Sequence, residues 1–138
     1  MNQDANPPGQ TDAEVPTSSR TPRTRSAPVL TFDLSREADR LRSESPWSRH
    51  GRNAVTLVKY SDLRIVYIVM KRAARMEEHH AGARISVHAL SGCVRLHVAE
   101  KTVDLHAGNL LALERDIPHD LEAIEESTLL LTISWQGG

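Results

Sequence analysis

At 138 residues the chain can bury one hydrophobic core but not two. Lys and Arg total 17 against 18 Asp and Glu, a formal charge of −1, so no net field draws it toward nucleic acid or an anionic membrane surface. Only 4% of residues are aromatic and no basic strand carries interleaved aromatics, which argues against base stacking on single-stranded nucleic acid. No apolar run is long enough to span a bilayer. The first residues lack a basic stretch leading into an apolar one, so no secretory signal is read there. The single cysteine, Cys93, has no internal disulfide partner, and a reducing, cytoplasmic setting is expected.

Residues 1–28 are rich in Pro, Ser, Thr, Gln, Asn and Asp and almost free of bulky apolar side chains. Such a stretch cannot offset its ordering entropy, so a disordered tail is predicted. Its Arg20, Arg23 and Arg25 read as solvated charges. Residues 29–52 begin with an extended segment, Val29 to Phe32. A helix is predicted from Asp33 to about Glu44, because Leu34, Ala38 and Leu41 recur at helical spacing between charged positions. Ser45-Pro46 is expected to stop it, since the residue before proline is pushed out of the helical region. Trp47 is assigned to covering an apolar surface.

Residues 53–138 change to strand periodicity. Nine strands are predicted: Ala54–Lys59, Leu63–Met70, Arg75–His80, Arg84–Leu90, Cys93–Val98, Thr102–Leu105, Asn109–Leu113, Pro118–Ile124 and Thr128–Trp135. Turn-forming residues separate them, including Ala81-Gly82, Ser91-Gly92 and Ala107-Gly108. Short strands at this regular spacing predict an all-β sandwich or barrel. No glycine-rich loop has the spacing that cradles phosphate. Cys93 lies in an apolar strand pattern with no histidine set beside it, which reads as a structural thiol.

Of the seven histidines, His80 and His119 differ from the rest. Alternate residues of a strand share a face, so Glu78 and His80 point the same way. His119 shares its face with Leu121 and Ala123. If both faces look inward, two imidazoles and one carboxylate meet in one pocket. That donor set suits a divalent ion with open positions for substrate, water or dioxygen. His50, His88, His97 and His106 read as surface or half-buried residues, with His88 and His97 on a polar or intersubunit face.

These positions resemble the two motifs of the cupin superfamily, in degenerate form, over about residues 53–135. The first motif carries two histidines one residue apart, then a glutamate, then a glycine. Here His80 and Gly92 match, Glu78 stands for the first histidine, and Ile85 replaces the glutamate. The second motif runs from a glycine to a histidine, matched by Gly108 and His119. Glu114 takes the place of its proline and Asp116 that of its turn glycine, where Asp tolerates a left-handed backbone. The resemblance implies an all-β, single-domain, jelly-roll β-barrel preceded by a short helix. Its pocket is expected to be lined by Ile85, Val87 and Leu121 and to bind a small molecule. A divalent metal ion (iron, manganese, zinc or nickel) on Glu78, His80 and His119 is expected on equal terms with no ion at all, enzyme status is left open, and the alternative is a metal-free ligand-binding or purely structural protein with no catalytic activity. A homodimer is expected, using Val29–Phe32 and the long Leu63–Met70 strand, with neither nucleic acid nor membrane as partner.

Overall fold

The computed structural model describes residues 24–77 and 82–136. Of the predicted tail, residues 1–23 therefore lie outside the described residues. Residues 24–28 run beside the first strand: the Arg25 carbonyl accepts from Lys59 N–H at 2.8 Å, and the Ala27 carbonyl accepts from the Tyr60 hydroxyl at 2.7 Å.

Helix α1 spans Leu34–Ser43. Asp33 caps it, its carboxylate accepting from Arg36 N–H at 3.2 Å, and Ala38 and Leu41 form its buried stripe. α1 stops before Ser45-Pro46 as expected, with Glu44 extended at φ −93 and ψ 155, but the same dipeptide opens an unexpected second helix, α2, over Ser45–His50. Proline's fixed φ and missing N–H suit the first turn of a helix, where no intrahelical donor is required. Gly51 closes α2 at φ 74, its N–H bonding the Trp47 carbonyl at 3.0 Å. Trp47 is flanked by two cations, Arg42 at 5.6 Å and Lys71 at 5.2 Å from its ring centre. Buried Asn53 ties the helices to the sheet, donating to the Leu41 carbonyl at 3.0 Å and to Glu44 Oε1 at 2.9 Å.

Nine strands follow: β1 Arg52–Lys59, β2 Leu63–Met70, β3 Arg75–Glu77, β4 Ala83–Ser91, β5 Cys93–Val98, β6 Lys101–His106, β7 Leu110–Leu113, β8 His119–Ala123 and β9 Ser127–Trp135. They form a five-stranded sheet ordered β1-β2-β9-β4-β7 and a four-stranded sheet ordered β3-β8-β5-β6, all pairings antiparallel. The two sheets pack face to face. The all-β jelly-roll layout is as expected, built as two antiparallel sheets; among the described residues no ladder joins the edge strands of one sheet to those of the other.

Alternation sets the two faces of each sheet. In β4, Ala83, Ile85, Val87 and Ala89 are buried between the sheets while Arg84, Ser86, His88 and Leu90 face out. In β5, Val94 and Leu96 are fully buried while Arg95 and His97 face out. The outer face of the smaller sheet is charged. Arg95 grips Asp104 with two hydrogen bonds, at 2.7 and 3.0 Å, and His97 Nε2 lies 3.2 Å from Glu122 Oε1. The hydrogen bond from Arg95 holds the Asp104 carboxyl below its ordinary value. A depressed carboxyl stabilises the folded state above its unfolded value, and that contribution fades as pH falls through the folded one. In Arg95→Ala the Asp104 side chain should therefore titrate at higher pH than in the parent, measured by carboxyl carbon NMR; an unmoved midpoint would refute the pairing.

The expected dimer surface needs one correction. β2 lies inside its sheet between β1 and β9, and Val66–Met70 are at most 4% exposed within a single chain. The helices pack on β1 and β2 and cover what the strand pattern left open, so this half of β2 has no area to offer a second copy. Val29, 78% exposed, keeps its surface.

Candidate functional site

A cavity of about 10 Å³ is bounded by Ile68, Ile85, Val87, Leu129 and Leu131 of the larger sheet and by Met76, Leu96, His119 and Leu121 of the smaller. Among the described residues that bound it, eight side chains are apolar and His119 is the ninth.

His119 opens β8, where its backbone pairs with Val98. Its Nδ1 lies 2.9 Å from the Ile117 carbonyl oxygen. A carbonyl can only accept, so the shared proton sits on Nδ1, and in the neutral ring Nε2 is left with a lone pair. Nε2 is buried and has no hydrogen-bond partner. A buried polar atom in that state costs roughly 1–3 kcal/mol, whereas the partly buried Nδ1 bond returns about 1. His119→Leu removes both and should raise stability by about 1 kcal/mol in urea unfolding. A variant less stable than the parent would mean that Nε2 is satisfied in solution.

The loop before His119 is pinned by three consecutive residues. Asp116 has φ 63, the left-handed conformation expected of a residue standing for a turn glycine. Its carboxylate accepts from Gly82 N–H at 2.9 Å. Arg115 Nε donates to the Gly82 carbonyl at 3.3 Å, and Arg84 Nε donates to Glu114 at 2.9 Å. The N–H of Arg115 first, and then Arg84, lower the Glu114 carboxyl from its ordinary value. The β7–β8 loop is thus bound to the start of β4, which carries Ile85 and Val87 into the same cavity. Sequence reasoning named Glu114 and Asp116 but missed Arg84 and Arg115, whose partners lie 30 or more residues away.

Ile85, Val87, Leu121 and His119 therefore meet around one cavity. Glu78 and His80 lie outside the described residues. Reasoning from motifs passed over Ile68, Met76, Leu96, Leu129 and Leu131, although strand alternation places each on an inward face. As a metal ligand His119 fits, since ligating histidines characteristically donate their other ring N–H to a carbonyl or carboxylate. Ile85, at the position of the family's glutamate, does not fit. Among the described residues no group of three or more His, Cys, Asp or Glu could hold an ion. Cys93 is buried, and burial first, then the charge of Asp104, raises its thiol pKa, the opposite of what a nucleophile needs.

Two sheets in jelly-roll order around a small apolar cavity define a class of protein, and solved structures agree with it. A cupin with an RmlC-like fold from Shewanella frigidimarina superposes at TM-score 0.57 with 19% identity, covering 63% of this chain and 78% of its own. A cupin superfamily protein from Desulfitobacterium hafniense gives 0.58 at 14% identity, covering 62% and 78%. The cupin domain of Schizosaccharomyces pombe Cnp3 gives 0.59 at 15%, covering 64% and 67%. No protein-family model matches the sequence, and no curated protein matches it. The chain has the cupin superfamily fold. At these identities the likeness extends to the fold alone.

Proposed function

We propose that this cupin-domain protein binds a small molecule in the pocket between its two sheets. The observation that carries this reading is the cavity bounded by Ile85, Val87, Leu121 and His119, a histidine whose buried Nε2 has no hydrogen-bond partner. Folding gains nothing from a buried imidazole left half satisfied, whereas a ligand that completes it would use the stored cost. The homodimer and the cytoplasmic setting belong to the same reading; the exposed Val29 supports the first and the lone buried thiol the second.

A second reading places a divalent ion (iron, manganese, zinc or nickel) on Glu78, His80 and His119. Two observations favour it. His119 Nδ1 is already engaged by a backbone carbonyl, which orients Nε2 as a ligand nitrogen. Met76, whose strand parity Glu78 and His80 share in sequence, borders the cavity. Such an ion would polarise a bound oxygen or nitrogen group and leave positions open for substrate.

Elemental analysis of the full, untagged chain separates the two. A stoichiometric ion that disappears in the His80→Ala, His119→Ala variant supports the metal site. A metal-free protein whose unfolding temperature rises with a small ligand supports the metal-free pocket. Neither an ion nor any ligand-dependent shift would sink both.

A further inference from the structure

Among the described residues four strands end the two sheets: β1 and β7 in the larger, β3 and β6 in the smaller. A strand edge presents backbone N–H and C=O groups without a ladder partner, and folded proteins blunt it with cover or charge. β1 is buried at six of its eight positions, and the Arg25 carbonyl takes its Lys59 N–H. β3 exposes Arg75 and Glu77. β6 exposes Lys101 and Asp104. β7 differs from all three. It reads Leu110-Leu111-Ala112-Leu113, uncharged throughout, and Leu110 is 64% exposed.

The two faces of β7 follow from its register with β4. Leu111 and Leu113 stand opposite Val87 and Ile85 and point between the sheets, where they stay half-buried. Leu110 and Ala112 stand opposite His88 and Ser86 and point outward, both exposed. Residues that face each other in a ladder share one side of the sheet. A strand that pairs antiparallel with its own copy must therefore carry the two-fold axis through a residue facing itself. With Leu111 on that axis, Leu110 faces Ala112 of the second copy at both ends, a large side chain against a small one. The half-buried Leu111 side chains of the two copies then cover each other at the border of the two sandwiches.

Resting on the homodimer proposed for this chain, and not on its pocket, we infer that two copies pair antiparallel along β7, Leu111 against Leu111, and join their five-stranded sheets into one. With the other edges covered or charged, the assembly closes at two copies instead of growing into a fibre. Four residues make a small interface, so the dimer is weak, with a dissociation constant on the order of 100 µM.

The test is sedimentation of the full, untagged chain from about 10 µM to about 1 mM, with amide hydrogen exchange read at both ends of that range. The parent should pass from monomer to dimer. Alternate β7 amides should exchange more slowly at the high concentration, while those of β6 keep their rate. Leu110→Lys should weaken association roughly tenfold, the share of two cross-strand contacts. The position is exposed, so the urea midpoint should hardly move. Adding Ala112→Glu to the same chain should restore most of the association, because positions 110 and 112 face each other across the axis. If the chain dimerises without slowing β7, if Leu110→Lys leaves association intact, or if Ala112→Glu restores nothing, the edge inference falls while the homodimer stands. A chain that stays monomeric to the top of the range sinks the homodimer and the inference together.

Discussion

Gly92→Ala is expected to cost roughly 2–5 kcal/mol, a large share of the stability of a domain this size. Gly92 sits at φ 79 in the turn between β4 and β5, a conformation that costs a residue with a Cβ about 1–2 kcal/mol. Space makes it worse. A Cβ there would fall on the Glu126 carbonyl oxygen and the Ser127 hydroxyl, and within 2.9 Å of Ser127 Cα. Neither backbone can yield cheaply. Ser127 is fully buried, its hydroxyl accepting from Cys93 N–H at 3.0 Å and donating to the Glu125 carbonyl at 2.8 Å. Ser91 and Thr128 join hydroxyls at 2.8 Å across the same corner. This corner passes the chain from one wall of the cavity to the other, so its loss should loosen the pocket as well. The measurement is a urea midpoint at unchanged m-value. A shift worth less than about 0.5 kcal/mol would show that the turn relaxes freely.

Leu96→Ala should be comparably costly, about 3–5 kcal/mol, in the upper part of the range for buried leucines. Leu96 is fully buried on the central β5 strand, its backbone paired to Val103 on one side and Leu121 on the other. It already borders a cavity, so truncation enlarges an existing hole between two hydrogen-bonded sheets that cannot close on it. The same geometry makes a second, opposite expectation. The enlarged cavity should admit a small apolar ligand such as benzene, which would restore part of the lost stability by binding only the folded state. A loss under about 1.5 kcal/mol, or no response to benzene, would mean that the side chain does not fill the space between the sheets.

Local chemistry made the strands legible. Alternating Val, Ile and Leu bounded by turn residues located all nine, because a half-buried strand and its turns are decided by neighbouring residues. The left-handed turn at Asp116 was legible for the same reason. The second helix was not. Ser45-Pro46 signals both the end of one helix and the start of another, and only the packing of Trp47 between Arg42 and Lys71 accompanies the second outcome. The cover over β2 was hidden too, since an amphipathic helix does not say which strand its stripe will meet.

The site divides along the same line. Motif spacing picked out His119, Ile85, Val87 and Leu121, and strand parity alone assigned them a common interior. That His119 Nε2 has no partner, that its Nδ1 is tied to Ile117, and that Arg84 and Arg115 clamp the loop are facts of three-dimensional approach.

By itself, then, the amino-acid order determined the strand set, the turns and the inward face of each strand, because periodicity and backbone preference act over a few residues. The sheet order β1-β2-β9-β4-β7, the division of the strands between two sheets, and the unsatisfied nitrogen of a histidine that lines an apolar cavity were decided only by the tertiary structure. Those depend on pairings between segments dozens of residues apart, where many partners satisfy the same local pattern and packing selects one.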